Sequence, residues 1–144
     1  MQYVRIRDLL ETDQKAGIRF DLSPFEGIWL NTDSNTRGVV KLLLSIREGD
    51  LMVRVFGECK PSPCDWGEVR AGAIYSDSAG SEQPVAFIAF YDFGFMETQV
   101  QANLNQGLLV VGFFNTFKDE SNRSDYFSRE FFHKQANAPQ ASDL

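Results

Sequence analysis

Two cysteines, a few carboxylates and a small set of polar or aromatic residues hold most of the chemistry this chain can offer. Cys59 and Cys64 flank Lys60-Pro61-Ser62-Pro63. A pair at that spacing in a reversal can close a disulfide or stay as two structural thiols; redox catalysis is better served by C-x-x-C at a helix N-terminus. The chain has 2 cysteines and 1 histidine, too few for a four-ligand structural zinc site, so neither a metal nor another cofactor is expected. Next come Asp65-Trp66-Gly67. The indole can stack on a ligand while the carboxylate orients it, or Trp66 can cover an edge while Asp65 caps the turn. Asp65 and Asp92 are also candidate bases, since an apolar cavity raises a carboxyl pKa. His133 lacks a local orienting partner and reads as a rim or surface residue. No Gly-x-Ser-x-Gly, Walker loop or His-Glu-x-x-His occurs, which removes serine hydrolases, nucleotide hydrolases and zinc proteases.

Those residues have to be positioned by strands. Val40, Leu42, Leu44 and Ile46 alternate with Lys41, Ser45 and Arg47, the period-two pattern of a half-buried strand. Comparable patterns predict strands over 25–32, 37–47, 51–58, 66–75, 84–92, 94–103, 106–117 and 124–134. The stretches 84–92 and 106–117 are apolar on both faces. A short helix is expected over 4–14, where Val4, Ile6, Leu9 and Leu10 share a face and Gly17 ends it. The organisation is thus a helix and lead-in over 1–24, a β domain over 25–134 and a disordered tail over 135–144. The fold class expected is all-β: an eight-stranded antiparallel up-and-down barrel with a short N-terminal helix, closure removing the exposed edges. A two-sheet sandwich is the alternative.

In such a meander alternate loops share a rim. The loops at 33–36, 59–65, 92–94 and 118–123 fall at one end, which becomes the open mouth, and Trp29 closes the other. Arg37, Lys118 and Arg123 stand at the mouth, with Asn31, Trp66 and Tyr91 nearer a cavity. Asn31 shares parity with Gly27 and Trp29, so its amide points inward and needs partners from the scaffold or a ligand.

The opening Gly27-Ile28-Trp29, after the irregular 21–26, resembles the start of the calycin barrels: lipocalins, fatty-acid-binding proteins and avidins. The resemblance implies a calycin-like barrel, with Gly27 allowing close backbone approach and Trp29 plugging one end. It also implies a late-strand cation, Arg129 or Lys134, packed across the indole of Trp29. Avidins place an Asn two residues after this Trp in their biotin site, as Asn31 stands here. Only Trp66 is left to serve a biotin in this chain, so biotin is not expected. The Arg-x-Tyr clamp of fatty-acid-binding proteins is not matched by Tyr126-Phe127-Ser128-Arg129. Together with Arg37-Gly38, Phe56-Gly57-x-Cys59, Pro63-Cys64-Asp65-Trp66-Gly67, Tyr91-Asp92-Phe93-Gly94 and Ser124-Asp125-Tyr126, the run over 25–134 resembles a bacterial domain of unassigned function. That likeness implies architecture and no activity.

The totals narrow the partners. Net charge is −6, from 20 acidic and 14 basic residues with no basic run, so neither nucleic acid nor an anionic membrane surface is an expected partner. No stretch is long and apolar enough to span a bilayer, and 1–8 lacks the apolar core of a secretory signal, so the expected location is cytoplasmic. The 13 phenylalanines are too dense for one face; residues 3–20 or a second subunit would cover the outside, making a homodimer a candidate. Three functions remain in order. The first is binding of an apolar or aromatic small molecule by Asn31, Arg37, Trp66, Tyr91, Lys118 and Arg123. The second is a non-catalytic interaction or structural module with a filled barrel. The third is a cyclase or isomerase based on Asp65 or Asp92; no catalytic residue is assigned.

Overall fold

A computed structural model describes residues 20–136, so the helix expected over 4–14 and the tail from 137 onward lie outside the described residues. What precedes the first strand among the described residues is one 3-10 turn, η1 (Ser23–Phe25), with Pro24 in its first turn. Nine strands follow: β1 (Gly27–Asn31), β2 (Val39–Arg47), β3 (Asp50–Gly57), β4 (Cys64–Arg70), β5 (Ala73–Ser76), β6 (Pro84–Asp92), β7 (Met96–Asn105), β8 (Leu108–Phe117) and β9 (Tyr126–Lys134). They make a single antiparallel sheet in the order β4-β3-β2-β1-β9-β8-β7-β6-β5. The sheet curls into a half-barrel, and no second sheet is formed from the described residues.

Two expectations are corrected here. The strand expected over 66–75 is two strands, giving nine rather than eight, and the ladder is open where a closed barrel was expected. β4 pairs with β3, β5 pairs with β6, and β4 makes no ladder with β5. The handover takes two residues: the Ala71 N–H donates to Leu51 O at 2.9 Å, on the β3 side, and the Gly72 N–H donates to Ile88 O at 2.7 Å, on the β6 side. The Phe90 ring crowds this corner; a Cβ on residue 72 would lie 3.2 Å from it. A glycine is what permits that approach, and it also weakens the strand there.

Tight turns set the register of the hairpins. Glu48-Gly49 and Gln106-Gly107 both carry paired positive φ values (53 and 83°, 52 and 83°), the geometry that matches the twist of two-residue hairpins. In β2 a register shift between Val39 and Lys41 turns Val39 inward, with Leu42 and Leu44, instead of the Val40 that simple alternation favours.

The inward faces of the strands form one core with η1. Phe25 meets Phe87 edge to face at 5.4 Å, and the Trp29 Nε1–H donates to Phe25 O at 2.8 Å. Leu22, Phe25 and Trp29 are all buried, so this end of the curl is stoppered by the lead-in itself. The connections β1–β2, β3–β4, β6–β7 and β8–β9 lie at the opposite rim, as the antiparallel order requires.

Candidate functional site

At that rim the Cys59–Cys64 disulfide closes the β3–β4 connection, with Cα atoms 5.5 Å apart. Immediately after it, Asp65 makes an ion pair with the Arg54 guanidinium and accepts the Gly67 N–H at 2.9 Å. The hydrogen bond from Arg54, followed by that from Gly67, lowers the Asp65 pKa from 3.8 to about 2. A carboxylate held this firmly in its charged form is a poor general base.

Trp66 turns inward beside it. Its ring stands edge-on to Tyr91 at 5.5 Å, Phe93 at 5.4 Å and Phe113 at 6.0 Å, while Tyr91 and Phe93 stack at 5.7 Å. Tyr91 is buried, with its hydroxyl 2.8 Å from Gly67 O and 3.2 Å from Val53 O. Burial pushes the phenol pKa well up, keeping it a neutral donor. Thr98 donates to Asn115 Oδ1 at 2.6 Å, a buried polar pair in the neighbouring strands β7 and β8.

Asn31 is joined to a residue that sequence reading missed. Its Nδ2 donates to Val39 O at 2.8 Å and to Glu130 Oε1 at 2.9 Å, and its Oδ1 accepts the Asp33 N–H at 2.8 Å. Glu130 Oε1 also accepts the Thr36 hydroxyl at 2.9 Å, and Oε2 lies 3.5 Å from the Val39 N. A Cβ on Gly38 would meet both carboxylate oxygens at 3.0 Å, so the missing side chain makes room for the clamp. The signal was available: Ser128, Glu130 and Phe132 share the parity that puts Phe132 in the core.

The expected rim cations have separate surroundings. Lys118 Nζ lies 2.7 Å from Asp92 Oδ1 and 3.5 Å from Glu97 Oε1. Arg123 pairs with Asp119 at 2.9 Å and lies over the Phe117 ring at 4.3 Å. Arg37 is exposed in the β1–β2 connection. Asn31, Arg37, Trp66, Tyr91, Lys118 and Arg123 therefore do not converge as one set: Trp66 and Tyr91 touch, while Asn31 is tied to Glu130.

At the stoppered end Lys134 is the cation over Trp29, 5.3 Å from the ring, and its Nζ reaches Pro24 O at 3.4 Å. Register decides this, since Trp29 pairs with Lys134 whereas Arg129 pairs with Gly112. Arg129 is exposed on the other face of β9, its guanidinium 5.3 Å from the Phe127 ring. His133 is also exposed on that face. Among the described residues no group of three or more His, Cys, Asp or Glu is placed to hold a metal ion.

The outer face of β7–β8–β9 differs in kind. Phe114, Phe127 and Phe131 project outward and are 40–45% exposed, with Phe95 and Tyr126 exposed at the nearby rim. Phe114 and Phe127 tilt against each other at 4.7 Å. Beside them lies a shallow cleft of about 250 Å³ that extends to Asp125 and Tyr126.

No family model matches this chain, and neither a curated protein nor a solved structure was found similar to it.

Proposed function

We propose that this chain is a non-catalytic interaction module: a curled sheet filled by its own side chains that works through its outer surface. The observation that carries the reading is the interior. Leu42, Val53, Val55, Phe87, Val100 and Leu109 are 0% exposed, and a void large enough to admit water would leave accessible surface on the side chains around it. The rim above them is occupied by Trp66 with its three aromatic neighbours.

The small-molecule reading has less support, because the residues offered to a ligand are already engaged. Asn31 has both donors and its acceptor matched within the scaffold, and the Tyr91 hydroxyl faces two backbone carbonyls. The cyclase or isomerase reading needs a carboxyl with a raised pKa, and Asp65 is shifted the other way. A calycin-type likeness remains part of the proposal, supported by Gly27-x-Trp29 at the first strand and by the up-and-down strand order. The Cys59–Cys64 bond supports an oxidising setting over the expected cytoplasmic one, since reducing compartments keep such thiols free.

Native mass spectrometry of freshly purified protein, compared with the denatured mass, tests this. The expected result is bare polypeptide. A small excess mass that disappears on unfolding would overturn the filled-interior reading and restore the ligand-binding one.

A further inference from the structure

We infer that the outer face of β7–β8–β9 is where two copies of this chain pack face to face. The inference rests on the reading of the chain as an interaction module and names the partner.

Composition sets this face apart. On β8 the outward positions include Val110 and Phe114, and on β9 they are Phe127, Arg129, Phe131 and His133. On β7 they include the uncharged Gln99, Gln101 and Asn103, paired across from Phe114, Gly112 and Val110. The one carboxylate among the outward positions of these strands is Glu97, at the rim end, with Lys118 Nζ 3.5 Å away. Aromatic rings, an arginine and a shortage of acidic groups are the composition of protein interface cores.

Charge then selects the occupant. The chain carries −6, from 20 acidic and 14 basic residues, so two copies repel across much of their surface. This face brings no unpaired carboxylate to the contact, and its central cation, Arg129, is already drawn over the Phe127 ring. Two copies can approach here with little like-charge cost. The area also suits a pair. The three outward rings, Phe114, Phe127 and Phe131, are 40–45% accessible; at about 200 Å² each they offer roughly 260 Å². That is about a third of the ~800 Å² per partner in a standard interface, and the flanking outward side chains Gln99, Gln101, Val110 and His133 extend it. In a two-fold arrangement Phe114, Phe127 and Phe131 of one copy interleave with the same residues of the other, as side chains do between stacked sheets.

Sedimentation equilibrium of the full chain from about 1 to 100 μM is the test. A mass rising from 16.3 kDa toward twice that value is expected. Phe127→Glu should weaken the dimer at least ~10-fold, whereas Ile46→Glu, on β2, should leave it unchanged. Arg129→Glu guards against a folding artefact. It places an extra acid on both copies, so its dimer should weaken at low salt and recover as salt screens the repulsion. Monomer at every concentration overturns the proposal, as does a dimer that Phe127→Glu and Arg129→Glu both leave intact. These readouts are multiples of the chain mass. They stay distinct from the small excess mass that would defeat the filled-interior reading.

Discussion

The loop rim and the β7–β9 face are made from similar residue types, yet they end in opposite states. At the rim, Trp66 is surrounded by Tyr91, Phe93 and Phe113, Asp65 is neutralised by Arg54, and Asn31 and Glu130 satisfy one another. On the β7–β9 face, Phe114, Phe127 and Phe131 remain about half exposed. Local sequence does not separate the two, because both are rich in phenylalanine next to charge. Parity and curvature separate them. A ring on the concave side of a curled sheet meets rings from other strands, whereas a ring on the convex side meets only its lateral neighbours. The aromatic groups that organise the core are thus distinct from those left free to meet a partner.

The contrast can be broken by mutation, and the largest effect belongs at the rim. Trp66→Ala removes the ring that three others pack against and should cost about 3 kcal/mol in urea unfolding. A loss under ~1 kcal/mol would mean that the rim packs loosely. Glu130→Ala should cost about 2 kcal/mol, because Asn31, Thr36 and the Val39 N–H lose a shared charged acceptor; Glu130→Gln should recover part of it. Replacing both cysteines by alanine should cost about 1–2 kcal/mol, since the disulfide closes only a short loop in the unfolded chain. Unchanged stability there would show the bond to be dispensable to the fold.

Acid should act at the same rim. The Asp65 pKa is lower in the folded chain, so its stabilising contribution is present above pH 3.8 and is lost as pH falls toward about 2. Urea midpoints measured across that window should decline, and Asp65→Asn should flatten that part of the decline. An identical acid limb in the variant would remove Asp65 from the account. The smallest effect belongs on the outer face. Phe127→Ala should change monomer stability by no more than ~0.5 kcal/mol, measured at protein concentrations low enough to suppress association. A loss comparable to that of Trp66→Ala would erase the distinction between the two regions.

Much of the fold was legible because its determinants are local. Alternation located β2 and β3, and Glu48-Gly49 marked the turn between them. What escaped was non-local. Nothing in Ala71-Gly72 says that the chain changes neighbours there, because the handover depends on carbonyls offered by Leu51 and Ile88. Parity turned Asn31 inward, but its partner Glu130 lies 99 residues away. Lys134 rather than Arg129 covers Trp29 because of a register that only the β1–β9 pairing fixes.

The two-residue step between β4 and β5 has a consequence for how the molecule could be rewired. Read across the sheet from β5, the order is β5-β6-β7-β8-β9-β1-β2-β3-β4. A circular permutant opened between Ala71 and Gly72, with β9 leading on into β1, would lay down its strands in their spatial order. The β1–β9 pairing, now a contact between distant parts of the chain, would become one between successive elements. Lower contact order goes with faster folding, so that permutant should reach its native sheet sooner than the natural connectivity does.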